Sequence, residues 1–400
     1  MKEMLIIAAY PGFDGVPTGG GKTHFYYMSK FAEYYKVKLI TFCSSEDEQN
    51  SIERSCSKIK VEPIIIKNNR SIIEKLVDVE SHYNIINRNG RFIPNSLIMN
   101  LKKILKILVK QAYNPDIIIL EWTEMLLACS NIRTFFPNAK IVASEHDVTF
   151  LSKKRKYEVS QNFRKIVKYF DYIKMKQREL ELLEKVDLAV THNEKDKKLL
   201  YDNGIGRDKI FALVPYFMKL KLNSTYDNKS NKLIFYGAMS RPENYLSALW
   251  FIENVMPQLH NYIFIIIGNK PPKELMEKSS NNIIVTGYVP DIIPYFSDAL
   301  CIVAPLLLGA GIKIKILEGL SSGIPVLTNT IGIEGIPARK GIDYIECNTA
   351  EDYIVNIKKL SNDEDYANYI AQNGQKMINK SFCINDSCQK YIKILDNMTR

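Results

Sequence analysis

Short runs of consecutive apolar residues recur along the chain, and most are followed by a stretch in which apolar residues repeat at helical spacing. Continuous rather than alternating apolar character is typical of strands buried on both faces, as in parallel sheets. Repeated strand-then-helix order indicates an α/β fold built on parallel sheets. Eleven runs are predicted as strands: 5–10, 37–42, 116–120, 140–146, 188–193, 232–237, 262–268, 283–288, 299–305, 324–329 and 343–347.

This pattern stops in the polar stretch 219–231, which is predicted to link two domains. A chain of 400 residues is too long for one typical core and has enough material for two. We therefore expect two Rossmann-like, doubly wound parallel-sheet domains, 1–217 and 218–384, and a C-terminal helix in 385–400 that packs back on the N-terminal domain. Because ligands bind at the carboxyl ends of such strands, the domains are expected to face each other across a cleft.

The composition, 46% hydrophobic and 24% charged, is typical of a folded globular protein and excludes collagen-like, low-complexity and wholly disordered classes. The seven cysteines are scattered and include no C-x-x-C pair, so neither a disulfide framework nor a zinc ribbon is predicted. A reducing cytoplasm is the expected location. No apolar run reaches the roughly 18 to 20 residues of a membrane-spanning helix, and residues 4–9 are interpreted as a buried strand rather than as a signal peptide.

The net charge of +10 arises in residues 1–220, which hold 36 Lys and Arg against 26 Asp and Glu. Within them, residues 151–185 hold 11 basic and 5 acidic side chains interleaved with apolar ones, and are predicted to form a basic amphipathic helix. Such a helix can be a solvated face, can contact an anionic membrane through 153–185, or can bind nucleic acid. Nucleic acid is not expected as a partner, because no helix-turn-helix, zinc-finger or RNP-type motif accompanies the charge.

A glycine-rich segment, Gly19-Gly20-Gly21-Lys22-Thr23, follows the first predicted strand and precedes an apparent helix over 24–35. Backbone amides at such a turn can cradle a phosphate. The spacing departs from a Walker A element, because Val16 stands where the first glycine belongs, and it does not fit G-x-G-x-x-G either. The segment is therefore a turn that approaches an anion, a plain flexible turn, or, against its spacing, a nucleotide-triphosphatase loop.

A second glycine-rich and basic segment, 299–335, joins a strand, a loop, a helix and another strand. Gly309-Ala310-Gly311 would let the backbone approach a ligand, and Lys313 and Lys315 would add positive potential for a diphosphate at the helix start. Glu318 lies in an otherwise apolar helix, where an unpaired carboxylate is costly. It either accepts hydrogen bonds from sugar hydroxyls or pairs with a structural lysine.

The segment 299–335 resembles the donor-binding signature of glycosyltransferase family 4, retaining enzymes of the GT-B fold, in the subgroup that reads G-[SAT]-G-x-[RK]-x-K-I-L-E-[AG]-L-[AS]-x-G-x-P-V-[VL]. The stretches 236–259 and 283–306 are similar to two further segments of that subgroup. The resemblance is specific over about residues 232–336. In the first half it rests on element order, the glycine-rich segment and the S-E-H-D sequence at 144–147.

The resemblance implies a nucleotide-sugar site. Glu318 would accept hydrogen bonds from the ribose hydroxyls, Lys315 and Arg241 would neutralise phosphate charge, and His146 would contact the donor sugar or the acceptor. Tyr288 would help to hold the base. The residues expected to bind the donor are Gly19, Gly20, Gly21, Gly237, Tyr288, Val289, Gly309, Ala310, Gly311, Ile312, Lys313 and Glu318.

The chain departs from the wider family at three positions. The first Glu of the family's E-x7-E motif falls at Ala310, as in the subgroup, and its Arg and Lys after the strand 232–237 fall at Ala238 and Asn244. Phosphate charge would therefore be neutralised by other basic residues, and a structural salt bridge is the alternative role of Arg241. The candidates are Arg241, Lys313, Lys315 and Lys22.

The function that the resemblance implies is retaining transfer of a sugar from a nucleotide-diphosphate sugar, with UDP preferred, to a sugar or lipid-linked acceptor in surface-polysaccharide or glycoconjugate assembly. No cofactor and no metal are expected, because amides and basic side chains can stabilise a leaving diphosphate. A GT-B nucleotide-sugar epimerase and a non-catalytic nucleotide-sugar binding protein are the alternatives. The expected location is the cytoplasm, with peripheral contact at the inner face of the membrane.

Overall fold

Two α/β units make up the chain, and each is built around one parallel sheet. The computed structural model describes residues 1–67, 78, 92–220, 222, 226–309 and 311–399. The first unit comprises Met1–Pro215 together with Ile384–Arg400, and the second comprises Tyr216–Cys383.

The first unit contains a seven-stranded sheet in the order β3-β2-β1-β4-β5-β6-β7, in which every neighbouring pair is parallel. Successive side chains of a strand point to opposite faces, so Leu5 and Ile7 enter one core layer while Met4 and Ile6 enter the other. The strands are Glu3–Ala8 (β1), Lys36–Cys43 (β2), Glu62–Lys67 (β3), Ile117–Glu121 (β4), Lys140–Glu145 (β5), Leu188–Thr191 (β6) and Ile210–Ala212 (β7).

Helices cover both faces of this sheet, which is why the middle residues of its central strands are apolar. Short 3-10 helices occur at Ile132–Thr134 and Arg207–Lys209. Among the described residues of Met1–Pro215, the α-helices are Gly19–Phe31 (α1), Glu46–Lys58 (α2), Asn95–Lys110 (α3), Thr123–Ala128 (α4), Thr149–Glu158 (α5), Asn162–Leu183 (α6) and Glu194–Asp202 (α7).

The second unit repeats the same winding on a six-stranded parallel sheet in the order β10-β9-β8-β11-β12-β13. Its strands are Lys232–Tyr236 (β8), Ile263–Ile267 (β9), Ile283–Gly287 (β10), Cys301–Ala304 (β11), Val326–Thr328 (β12) and Ile345–Glu346 (β13). Its helices are Pro242–Asn254 (α8), Lys273–Met276 (α9), Ile293–Ser297 (α10), Ile314–Ser322 (α11), Ala350–Asn362 (α12) and Glu364–Ser381 (α13), with a 3-10 helix at Met256–Gln258.

The last helix, Ile384–Met398 (α14), returns to the first unit. Tyr391 and Leu395 are buried in the core layer that also contains Tyr27 and Phe31 of α1. The ring centroids of Phe31 and Tyr391 are 5.5 Å apart in an edge-to-face arrangement. The hydroxyl of Ser387 accepts a hydrogen bond of 3.0 Å from the amide of Val214.

All eleven predicted strands coincide with observed ones, and the predicted two-sheet α/β fold is confirmed. Two edge strands were not predicted. Strand β3 contains Pro63, which an edge position tolerates because one side of the strand needs no partner. Strand β7 has only three residues, so it leaves little periodic signal.

The prediction of one helix over 151–185 is wrong. The chain forms α5 and α6 instead, separated at Val159–Gln161, and Asn162 has a positive φ of 53°. This reversal of direction lets the two helices pack against each other as a hairpin. Within the described part of the chain, no helix combines the length and the apolar character needed to cross a membrane.

Candidate functional site

In the second unit, polar side chains gather at the carboxyl ends of β8 and β11, where the strand order reverses. This reversal is the position at which doubly wound sheets bind ligands. Lys315 Nζ donates a hydrogen bond of 2.5 Å to Asn244 Oδ1, and Asn244 Nδ2 donates one of 2.8 Å to the Ala238 carbonyl. Gly237 has φ of 154°, and a Cβ there would lie 2.9 Å from Lys315 Nζ. A glycine therefore makes the Lys315–Asn244 pair possible.

The ammonium of Lys315 is held in apolar surroundings, 4.7 Å from the centroid of the Phe235 ring. Burial lowers the pKa of Lys315 to about 7, and the positive charge of Arg241 contributes to the decrease. An anion that binds next to such a lysine stabilises its protonated form and raises its pKa. A diphosphate would supply that charge.

Glu318 is buried on α11, and its Oε2 lies 3.1 Å from the hydroxyl of Tyr236. That hydroxyl also lies 2.8 Å from the carbonyl oxygen of Lys315. Burial, together with the charge of Glu318, raises the pKa of Tyr236, so the hydroxyl keeps its proton and donates. The other oxygen, Oε1, lies 3.4 Å from the amide of Met218. The carboxylate of Glu318 is thus oriented by a tyrosine hydroxyl.

The loop before α11 brings a second lysine to the same helix end. Lys313 Nζ donates a hydrogen bond of 2.5 Å to the Gly311 carbonyl and lies 3.7 Å from Glu334 Oε2. Gly311 adopts a left-handed φ of 67°, which directs the chain into the helix. At the start of α11 the amide of Ile316 donates a hydrogen bond of 2.8 Å to the Lys313 carbonyl, whereas the first two amides of a helix have no partner within it. Ile312 precedes them. Gly309 belongs to the same loop, and Ala310 lies outside the described residues.

Other predicted donor residues lie on the surface of the second unit. Arg241 forms an ion pair with Glu243, and its side chain is 59% exposed. Its position next to the start of α8 still adds positive charge near Lys315. Tyr288, 75% exposed, and the half-buried Val289 follow β10.

In the first unit, Gly19, Gly20 and Gly21 form the first turn of α1 rather than a loop before it. Thr18 is the N-cap, and its Oγ1 accepts a hydrogen bond of 3.2 Å from the Gly21 amide. The helix also ends at Phe31, earlier than predicted. Glycine at 20 permits close packing, because a Cβ there would lie 3.3 Å from the Trp122 ring and 3.4 Å from His146 Nδ1. The helix N-terminus therefore points toward the ends of β4 and β5.

A histidine and glutamate cluster lies at those strand ends. His146 Nε2 is 2.9 Å from Glu121 Oε2, and His24 Nδ1 is 3.6 Å from Glu121 Oε1. Burial alone would raise the pKa of Glu121, but the hydrogen bond with His146 and the nearby imidazole of His24 outweigh it and hold the pKa below its usual range. The ring of His146 stacks on Trp122 at 4.1 Å with an interplanar angle of 12°. Glu121 and Trp122 thus hold the imidazole of His146 in one orientation.

His192 lies behind this cluster, with its ring centroid 4.7 Å from that of His146. Burial, together with the neighbouring His146, lowers the pKa of His192 to about 3. Its Nδ1 is 3.3 Å from the Leu213 carbonyl. His192 is therefore neutral at neutral pH.

Sequence reasoning missed Tyr236, His24, Glu121, Trp122 and His192 as site residues. One signal was available, because Glu121, Trp122 and His192 end or follow the apolar runs of β4 and β6. A polar or aromatic residue at the carboxyl end of a buried parallel strand lies where ligands bind. The contribution of His24 could not be found in this way, because it comes from a helix face that reads as apolar packing.

Comparisons with known proteins bear on the fold and on the second unit. Residues 230–363, within the second unit, match the family model for glycosyl transferases group 1. Comparison with curated protein sequences gives no significant match.

Several solved structures share the fold over nearly the whole chain. HepE of Anabaena, in complex with UDP and glucose, is 11% identical, with 99% of this chain and 100% of that one covered and a TM-score of 0.69. Sucrose-phosphate synthase of Thermosynechococcus elongatus is 13% identical, with coverage of 100% and 99% and a TM-score of 0.71. A variant of S. aureus TarM, in complex with Fondaparinux, alpha-GlcNAc-glycerol and UDP, is 12% identical, with coverage of 99% and 100% and a TM-score of 0.66.

The two parallel-sheet units and these likenesses show the GT-B fold. In sequence, the likeness to glycosyl transferases group 1 is confined to residues 230–363 of the second unit.

Proposed function

We propose that this protein is a retaining glycosyltransferase of the family 4 type, which transfers a sugar from a UDP-sugar to a sugar or lipid-linked acceptor. The observation that carries the proposal is the grouping of Lys315, Asn244 and Glu318 at the reversal point of the second sheet, within the residues that match glycosyl transferases group 1. A lysine that an anion would stabilise and a carboxylate that can accept hydrogen bonds from hydroxyl groups lie side by side there, which suits a nucleoside diphosphate.

The donor would bind in a defined order along this edge. Glu318, already oriented by Tyr236, would accept hydrogen bonds from the ribose hydroxyls. The diphosphate would lie at the N-terminus of α11, where amides, Lys315 and Lys313 provide positive potential. The backbone at Tyr288 would contact the base. UDP is the proposed nucleotide because HepE and TarM were crystallised with UDP.

The proposed reaction breaks the bond between the anomeric carbon and the diphosphate oxygen and forms a bond from that carbon to the acceptor oxygen, on the same face of the sugar. The acceptor proton passes to the leaving phosphate. Lys315 and the amides of α11 would stabilise the negative charge that develops on the diphosphate, which is the main demand on the protein. Basic side chains can meet this demand without a metal or another cofactor.

The acceptor would bind to the first unit, where His146 is presented beside Trp122 and the N-terminus of α1. The imidazole, held by Glu121, can position a hydroxyl group of the acceptor or of the transferred sugar. A cytoplasmic enzyme that uses a lipid-linked acceptor in surface-polysaccharide or glycoconjugate assembly would work at the inner face of a membrane. We propose that location for this protein.

A thermal-shift series with UDP, GDP, ADP, CMP and ATP tests the donor site, because a ligand that binds the native state raises the unfolding midpoint. We expect a shift with UDP that is lost in Glu318→Gln and kept in Glu351→Gln, an exposed glutamate in the first turn of α12. A UDP shift of equal size in wild type and Glu318→Gln would contradict the assignment. Product analysis with UDP-sugars then separates transfer from epimerisation, which needs no acceptor, and from binding without turnover.

A further inference from the structure

The hairpin of α5 and α6 divides into two parts of different character. Residues 153–168 hold seven Lys and Arg against one acid, whereas residues 169–185 hold four of each. In the second part, Met175, Leu182 and Leu183 are buried in the core of the first unit, and Arg178 pairs with Glu181. The unbalanced positive charge therefore belongs to the tip of the hairpin.

Large apolar side chains are exposed at this same tip. Phe163 is 75% exposed, Ile166 is 55% exposed and Phe170 is 54% exposed. Their spacing of three and four residues places them on one side of α6. Val159, in the segment that joins the helices, is 66% exposed. Single exposed apolar residues are ordinary, but a group of this size on one side of a helix indicates an interaction surface.

Basic side chains surround the apolar ones. Arg164, Lys165 and Lys168 alternate with Phe163 and Ile166 along the first two turns of α6, and Lys156 lies at the end of α5. Tyr157 of α5 contacts α6, because Lys165 Nζ lies 5.5 Å from the centroid of its ring. Helices that lie in a bilayer interface combine apolar residues, which enter the acyl boundary, with Lys and Arg, which contact anionic headgroups.

We propose that the hairpin tip, residues 156–170, docks the protein on an anionic lipid bilayer by inserting Phe163, Ile166 and Phe170. The charge of the tip complements an anionic surface, and its apolar side chains need a phase that they can enter, which a bilayer supplies and nucleic acid does not. The proposal assigns docking to the tip and excludes the buried half of α6. It concerns the surface of the hairpin, so it stands whether or not the protein transfers a sugar.

Co-sedimentation of the full chain with vesicles tests this proposal. We expect binding to vesicles of phosphatidylcholine mixed with phosphatidylglycerol, and little binding to phosphatidylcholine alone. Arg164→Ala with Lys165→Ala should weaken binding by about fivefold for each charge removed. Phe163→Ser with Phe170→Ser should weaken it by about tenfold or more for each side chain.

Matched controls use exposed residues of the second unit. Val355→Ser with Tyr369→Ser removes two side chains that are 53% and 49% exposed, and should leave vesicle binding unchanged. Circular dichroism and an unchanged UDP shift would show that the tip variants are folded. Failure of the wild type to sediment with anionic vesicles, or equal binding by the Phe163→Ser, Phe170→Ser variant, would overturn the proposal. Dimerisation in solution that this variant abolishes would assign the surface to a second copy of the chain instead.

Discussion

Lys315 combines two properties that rarely occur in one side chain. It lies at a helix N-terminus that suits anions, yet its own charge is disfavoured by burial, which lowers its pKa to about 7. The group is therefore divided between its neutral and charged forms at neutral pH. Binding of a diphosphate would favour the charged form and draw a proton from solvent.

We expect UDP binding to take up a proton. At pH 8 the free protein would hold Lys315 about nine-tenths neutral, so uptake should approach one proton per UDP, and it should be small at pH 6, where the lysine is already charged. Isothermal titration calorimetry in buffers of different ionisation enthalpy measures this uptake. Lys315→Met should abolish it, and proton uptake that persists in Lys315→Met would assign it to another group.

Gly237 is the second residue whose role can be tested alone. In Gly237→Ala the new Cβ would collide with Lys315 Nζ and with Asn244 Nδ2, which lies 3.0 Å from its position. Gly341→Ala is a matched control, because Gly341 also has a positive φ, of 71°, but has no atom within 4 Å of the Cβ position. Both variants should lose about 1–3 kcal/mol of stability to backbone strain. Only Gly237→Ala should also weaken UDP binding, and equal UDP affinity in both would contradict this role.

Helix α5 is anchored by a carboxylate from its partner helix. Both oxygens of Glu179 on α6 accept hydrogen bonds of 2.8 Å, from the amides of Thr149 and Phe150 at the start of α5. Glu145, at the end of β5, accepts a hydrogen bond from the Thr123 hydroxyl. Burial raises the pKa of Glu179, and burial with the charge of Glu179 raises that of Glu145. Two carboxyl groups in such surroundings do not both ionise readily.

This pair makes stability depend on pH in a defined direction. A carboxyl whose folded pKa is raised stabilises the fold at pH values below its unfolded pKa of about 4.3, and that contribution is lost as the pH rises through the folded value. Glu145→Gln keeps the shape and removes one charge. We expect the wild type to lose stability relative to Glu145→Gln between pH 5 and pH 9, by at most about 1.4 kcal/mol per pH unit. Urea unfolding at each pH measures the stability of both proteins. Parallel plots of stability against pH for the two proteins would exclude this linkage.

Helices and strands could be predicted from the sequence where a single local pattern determines them. The apolar runs predicted eleven strands because burial on both faces requires continuous apolar character. The break before Asn162 left no such trace, since neither proline nor glycine marks it and helical periodicity continues through it. The first turn of α1 was mistaken for a loop because glycines are poor helix formers, and close packing against Trp122 decides their conformation instead.

The candidate site could be predicted from the sequence only in part, for a similar reason. The residues 309–318 form a continuous motif, so their grouping could be recognised. The Lys315–Asn244 pair, the Tyr236 hydroxyl on Glu318 and the Glu121–His146 contact join residues at least 25 positions apart. Which of these distant residues meet depends on which strands are neighbours in the sheet. Local patterns in the sequence do not show that order.

On the scale of the whole molecule, the first unit is built from two segments of the chain. Leu395, on α14, is fully buried in its second core layer, while Leu360 is fully buried in the second unit. Leu395→Ala should cost about 2–5 kcal/mol through the cavity it leaves. We expect hydrogen exchange with mass spectrometry to show faster exchange in the first unit of Leu395→Ala and in the second unit of Leu360→Ala. Equal acceleration of both units in either variant would show that they unfold as one.

The return of α14 also has a consequence for synthesis on the ribosome. Domains generally fold in the order in which they are translated, but the first unit here lacks one helix of its core until α14 has been made, after the whole of the second unit. The second unit, Tyr216–Cys383, is continuous and is completed earlier. The half of the protein that begins first is therefore finished last, and the apolar layer around Tyr27 and Phe31 stays open while the other half is made.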